Sequence, residues 1–125
     1  MKQGEKIYYS KRVKEKNSLI EKFEKPKDIT LKYNYFTCMK ASGYAELVQY
    51  GERISSIWIC YANSNWFKGK IEEGDIFWVE GKKPPHLSEM DELFGYKESA
   101  NAIVVDVLEL DHSIKITLER NENEQ

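Results

Sequence analysis

The run Ile29-Thr30-Leu31-Lys32-Tyr33-Asn34-Tyr35 alternates apolar and polar side chains without a break. A period of two puts Ile29, Leu31, Tyr33 and Tyr35 on one face of an extended chain, whereas a helix would scatter them around its axis. The pattern predicts a strand half buried against a core, continuing through Phe36 toward Met39. Similar short runs recur. Lys6 to Lys14 carries Ile7, Tyr9 and Val13, and a polar turn over Glu15 to Ser18 separates it from Leu19 to Phe23, which Pro26 interrupts. In Ile54 to Ala62, Ile57, Ile59 and Tyr61 face one way and Trp58 and Cys60 the other, so this strand is expected to be buried on both sides or to lie at an interface. Ile76 to Val79 reads as a short buried strand that leaves through Glu80-Gly81-Lys82. Ala102 to Leu110 and Ser113 to Glu119 read as a hairpin turning at Asp111-His112.

Runs this short, rich in aromatic and β-branched residues, predict an all-β fold: a small antiparallel β-barrel or sandwich of six or seven strands with one short helix and long loops. The helix is expected between Ser42, a candidate cap, and Gly51, a candidate stop. Asn63-Ser64-Asn65 signals a turn. The core predicted from period-two placement comprises Ile7, Leu31, Tyr33, Ile57, Ile59, Phe77, Val79, Ile103, Val105, Ile116 and Leu118. A chain of 125 residues is one domain, 1–125, with a basic N-terminal region over 1–27, a long irregular loop over 82–101 and a polar tail over 121–125.

The formal net charge is −2, but residues 1–27 hold nine Lys/Arg against four Glu. A basic arm on an acidic body suits nucleic acid or an acidic neighbour, and equally suits an edge strand kept soluble by lysines. No apolar run reaches membrane-span length, and the first residues lack the apolar stretch of a signal peptide, so a cytoplasm-like compartment is expected. Cys38 and Cys60 then read as buried free thiols, with a disulfide as the alternative.

No catalytic or metal-binding set emerges. His86 and His112 have no second His or Cys at ligand spacing, and no nucleophile elbow or Gly-rich phosphate loop is present. The acidic clusters Glu72, Glu73, Asp75 and Glu89, Asp91, Glu92 lack the alternate spacing of a calcium loop and read as solvated loops. The expectation is a non-enzyme without metal or cofactor. Two segments are too apolar to be freely solvated: Lys40 to Arg53 carries Tyr44, Leu47, Val48 and Tyr50, and Lys82 to Asn101 carries Leu87, Leu93, Phe94 and Tyr96. Each is expected to pack on its own barrel or on another chain, and these eight residues are the candidate subunit or partner interface.

The order of elements resembles that of head–tail connector proteins of long-tailed bacteriophages, in particular the head-closure or stopper type. The resemblance runs from the first strand and polar turn (Ile7 to Leu19) through the strand Asp28 to Phe36, Ser42-Gly43-Tyr44 with its amphipathic stretch, and the strand Ser55 to Ala62. It continues through Glu72-Glu73-Gly74-Asp75-Ile76-Phe77-Trp78-Val79-Glu80-Gly81 to the last hairpin, and it departs from the family's compact form in the long 82–101 segment and the basic N-terminus. It implies a β-barrel assembling into a ring of about six copies, each showing two different faces to its neighbours. Its partners are a portal-adaptor protein on the head side and a tail-terminator or tail-completion protein on the tail side. It implies a place in the virion neck after assembly in the host cytoplasm, loops that help retain packaged duplex DNA, and no enzymatic activity. For a channel that holds DNA without reading it, Lys40 and Arg53 are the candidate phosphate contacts. A tail terminator is the neighbouring alternative. The alternative of a different class is an OB-like nucleic-acid-binding domain stacking bases on Tyr8, Tyr9, Tyr33, Tyr35, Trp58 or Trp66.

Overall fold

The computed structural model describes residues 6–13, 22–30, 36–67, 69–85 and 95–122, without the side chains of Asn65 and Trp66. Its elements are β1 (Tyr8–Ser10), β2 (Arg12–Val13), β3 (Lys22–Phe23), β4 (Lys27–Asp28), β5 (Phe36–Lys40), α1 (Tyr44–Tyr50), a 3-10 segment (Gly51–Ser56), β6 (Ile57–Asn63), α2 (Ser64–Phe67), β7 (Ile76–Trp78), α3 (Gly95–Ser99), β8 (Ala102–Glu109) and β9 (Ser113–Arg120). Seven strands form one curled antiparallel sheet in the order β4-β1-β7-β8-β9-β6-β5, and β2 pairs with β3 apart from it. The expected mainly β class holds, and the sheet curls into a half-barrel with β4 and β5 at its ends.

The curl follows from where the apolar side chains point. In β9 every second residue, Ile114, Ile116 and Leu118, enters the core. The register places them opposite Ala62, Cys60 and Trp58 of β6, and β5 adds Phe36 and Cys38 to the same side. Phe36, on the edge strand, stacks on Phe77 of β7 with ring centroids 5.7 Å apart, and Tyr9 of β1 meets the same Phe77 at 5.1 Å. Strands far apart in the sheet thus touch across one core, which a flat sheet cannot do. Each large side chain buried there contributes about 1.5–3 kcal/mol. The opposite face of β7 is also covered: Ile76 and Trp78 join Phe23, Tyr96 and Ala100, with Tyr8 and Ile103 partly buried against them. The short apolar run 76–79 is therefore a strand with apolar neighbours on both sides, and residues 57–60 of β6 are likewise all buried.

The β8–β9 hairpin forms over the expected residues. Its interior corrects one core assignment. The register shifts between Val104, opposite Leu118, and Asp106, opposite Thr117, leaving Val105 as the extra residue of a bulge. Val104 is buried at 2% exposure while Val105 stands 39% exposed, and Ile103 is only partly buried, against the second cluster. Ile7, Phe77, Val79, Ile116 and Leu118 lie in the core cluster as expected; Ile57 and Ile59 are buried, but β6 enters that cluster with the alternate residues Trp58, Cys60 and Ala62, and Leu31 and Tyr33 lie outside the described residues.

Other boundaries also move. The first run divides into β1 and β2 at Lys11. β4 stops where the Asp28 carboxylate accepts the Thr30 N–H at 2.9 Å, an Asx turn that diverts the backbone. Ser64–Phe67 makes one helical turn where a turn was expected. The segment expected to be irregular over 82–101 ends in α3, and Asn121, the first residue of the polar tail, is buried. Its side-chain amide donates to the carbonyls of Lys97 and Ala100, fastening α3 to the end of β9.

Candidate functional site

Between β5 and β6 the chain leaves the sheet for a helical excursion. α1 has seven residues and none of them is buried, and the same is true of the 3-10 segment that follows. Local features give so short a helix limited support: Glu46 in its first turn, and a bond from the Gly51 N–H to the Leu47 carbonyl at its end. Its N-cap is Gly43, which makes no side-chain capping bond, and its last turn carries no basic residue. Ser42, the expected cap, is displaced by one position. Gly51 ends the helix at φ 60°, in the left-handed region, as its place in the sequence suggests. Isolated helices shorter than about 12–15 residues are marginal in water, so most of a short helix's stability comes from packing an apolar face. In α1 that face is turned outward: Tyr44 is 83% exposed, Val48 69% and Leu47 51%. Tyr50 is half buried. Met39 of β5 and Tyr61 of β6 are exposed as well, and the register sets them on the outer face of the same strand pair.

The second expected interface segment divides differently. Tyr96 is not a docking residue: it is 2% exposed and meets Trp78 edge-on at 6.1 Å inside the chain's own second cluster. The reason is α3, which turns Tyr96 back onto β7. Leu87, Leu93 and Phe94 lie outside the described residues.

The two candidate DNA contacts sit at the rim of the excursion, and both have intramolecular partners. The Lys40 ammonium donates to the Ser55 carbonyl and lies 4.3 Å from the centroid of the Trp58 ring. Arg53 pairs with Glu119 at 2.8 Å. The candidate base-stacking rings are no freer. Trp58 and Tyr9 are buried, Tyr8 is partly buried against the second cluster, and Tyr33, Tyr35 and the Trp66 side chain lie outside the description.

Two lysines of the basic N-terminal region meet acids within the chain. Lys11 lies 3.1 Å from Glu72 and 3.6 Å from Asp75, and Lys6 approaches Asp28 at 3.9 Å. Asp75, read in the sequence as part of a solvated loop, is buried and organises this corner. Its carboxylate accepts from the Tyr9 hydroxyl (2.6 Å), the Arg12 backbone N–H (2.9 Å) and the Glu72 backbone N–H (2.9 Å). Burial, and then the bond to Asp75, hold the Tyr9 phenol well above its ordinary pKa. The turn needs Gly74, whose φ is 92° and against whose α-carbon the Arg12 guanidinium lies so closely that a Cβ would come within 2.7 Å of it. The segment was legible as a loop, but the partners of Asp75, up to 66 positions away, were not.

A cleft of about 360 Å³ is lined by Tyr8, Lys25, Pro26, Lys83, Pro84, Pro85 and Tyr96, with no carboxylate, His, Cys or Ser among these described residues. Among the described residues no group of three His, Cys, Asp or Glu side chains is placed to hold a metal ion, and no helix is long and apolar enough to cross a membrane. Comparison with family models, with curated proteins and with solved structures finds no match for this chain.

Proposed function

We propose that this chain is a non-enzymatic assembly protein that docks onto further copies of itself through the outer face of α1, in a ring of the kind formed by head-closure proteins in the necks of long-tailed bacteriophages. One observation carries the docking: α1 and the 3-10 segment after it run from Tyr44 to Ser56 without a buried residue, while Tyr44, Leu47 and Val48 face solvent. A second copy covering that face supplies the packing that the helix lacks among the described residues. The phage neck is the specific form suggested by the sequence resemblance to head-closure proteins, from the first strand and polar turn through Asp28 to Phe36 and Ser55 to Ala62 to the last hairpin. In that setting the ring joins a portal-adaptor protein to a tail-terminator or tail-completion protein, and its role is retention of packaged DNA. The OB-like reading is weakened by the burial of Tyr9 and Trp58, which leaves neither ring a face for a base.

The test at particle level is complementation of a phage genome lacking this gene with the chain carrying Leu47→Ser and Val48→Ser. The expected result is filled heads that leak DNA alongside unattached tails, where the wild-type chain restores joined particles. Joined, DNA-retaining particles from the double variant, or a wild-type chain that restores nothing, would contradict the reading.

A further inference from the structure

Cys38 of β5 and Cys60 of β6 stand directly opposite one another in the antiparallel ladder, and both are free and buried. Their pairing type follows from a neighbouring bond. Ala41, just beyond β5, donates its N–H to the carbonyl of Ile57 at 2.9 Å, which makes 41 and 57 a hydrogen-bonded pair. Bonded and non-bonded pairs alternate along an antiparallel ladder. With the register Lys40–Trp58, Met39–Ile59, Cys38–Cys60, the cysteines therefore occupy a non-hydrogen-bonded pair. In such pairs the Cα atoms are about 4.5 Å apart and the side chains approach most closely, within the about 4.4–6.8 Å Cα range that a disulfide spans. Both side chains belong to the same core cluster, so they point to the same side of the sheet.

We propose that Cys38 and Cys60 form a cross-strand dithiol that low-molecular-weight disulfides convert to an intrachain disulfide in the folded protein. Cys38 is the entry point, because β5 is the last strand of the sheet among the described residues and pairs only with β6 there, whereas Cys60 lies between β5 and β9. The Cys38 thiolate attacks one sulfur of glutathione disulfide and releases one glutathione thiolate. The Cys60 thiolate then attacks the Cys38 sulfur and releases the second. The protein loses two electrons and two protons, the oxidant gains the two electrons, and the protons end on the two glutathiones. Burial and the neighbouring Cys38 push the Cys60 thiol up, which disfavours its thiolate and leaves the first attack to Cys38. Once closed, the bond ties β5 to β6 at the root of the α1 excursion, and it does so whether or not α1 docks.

The test uses the full reduced chain, kept folded and incubated with glutathione disulfide, then denatured in acid, alkylated and weighed. The expected product is about 2 Da lighter than the reduced chain, takes up no alkylating agent, and yields a linked pair of peptides containing Cys38 and Cys60. Its Tm rises by about 10 °C, and dithiothreitol reverses the change. A chain with Cys60→Ala, a small apolar replacement, stops at glutathione attached to Cys38 and shows no rise in Tm. The proposal is overturned if the folded chain keeps two alkylatable thiols under conditions that close the bond in urea. It is equally overturned if the product is a link between chains, or if wild-type Cys38 stays glutathionylated.

Discussion

Asn101 holds the backbone of Val79 from both sides: its side-chain oxygen accepts the Val79 N–H at 2.9 Å, and its side-chain nitrogen donates to the Val79 carbonyl at 2.9 Å. The side chain acts as one more rung of the β7–β8 ladder, just past the pair Phe77–Ala102. Asn101→Ala strips the buried Val79 N–H of this acceptor, whereas the carbonyl keeps a bond from the Lys82 N–H. The expected cost is about 2–3 kcal/mol, read as a lower urea midpoint at unchanged slope. A loss of a few tenths would mean that water replaces the amide.

Tyr96 belongs to the fold and Tyr44 to the surface. Tyr96→Ala removes a ring that is 2% exposed and should cost about 3–5 kcal/mol. Tyr44→Ala, at a ring 83% exposed, should change the stability of the separate chain by no more than about 0.5 kcal/mol. Thermal melts of the two at low concentration distinguish these roles, and equal effects would refute the assignment.

The β8 bulge reverses which valine matters. Val104→Ala should destabilise by about 2 kcal/mol, because its side chain packs opposite Leu118 in the core. Val105→Thr should be tolerated within about 0.5 kcal/mol. If Val105→Thr proves the costlier change by denaturant titration, the register shift is misplaced.

Alkaline pH should expose the Tyr9–Asp75 contact. The folded state keeps the Tyr9 phenol protonated well above its ordinary pKa, chiefly because it is buried. The unfolded chain ionises that phenol near about pH 10. Below that pH both states hold the proton and the stabilisation is complete. Above it, the unfolded state alone releases the proton, and stability falls by up to about 1.4 kcal/mol per pH unit from this group. Tyr9→Phe removes that slope, so the stability gap between wild type and variant should narrow as pH rises past about 10. A gap that stays constant would show that the phenol ionises alike in both states.

What could be read from the chain is what local pattern determines. Ala102 to Leu110 and Ser113 to Glu119 are β-branched runs around Asp111-His112, and they pair as expected. Ile76 to Val79 has no polar residue to expose, and it is buried on both faces. Gly51 marks the end of α1 because a left-handed φ falls there. What was missed depends on contacts between distant segments. Period two cannot reveal the extra residue at Val105, because a bulge is set by the partner strand. Tyr96 looked like loop because α3 has five residues and carries no periodic signature. Asp75 looked like a solvated acid because its partners Tyr9 and Arg12 come from the opposite end of the sequence. The facing of Cys38 and Cys60 likewise required the register of two strands separated by the α1 excursion.

Self-docking through α1 is tested most directly by sedimentation velocity of the purified chain over a wide concentration range, with and without Leu47→Ser and Val48→Ser. Both residues are exposed, so their replacement should leave the melting of the separate chain within about 0.5 kcal/mol of wild type per site. The predicted result is a wild-type chain whose sedimentation coefficient rises with concentration toward a closed oligomer, and a double variant that stays monomeric at every concentration. A wild-type chain that remains monomeric throughout, or a double variant that associates as well as wild type, would contradict it.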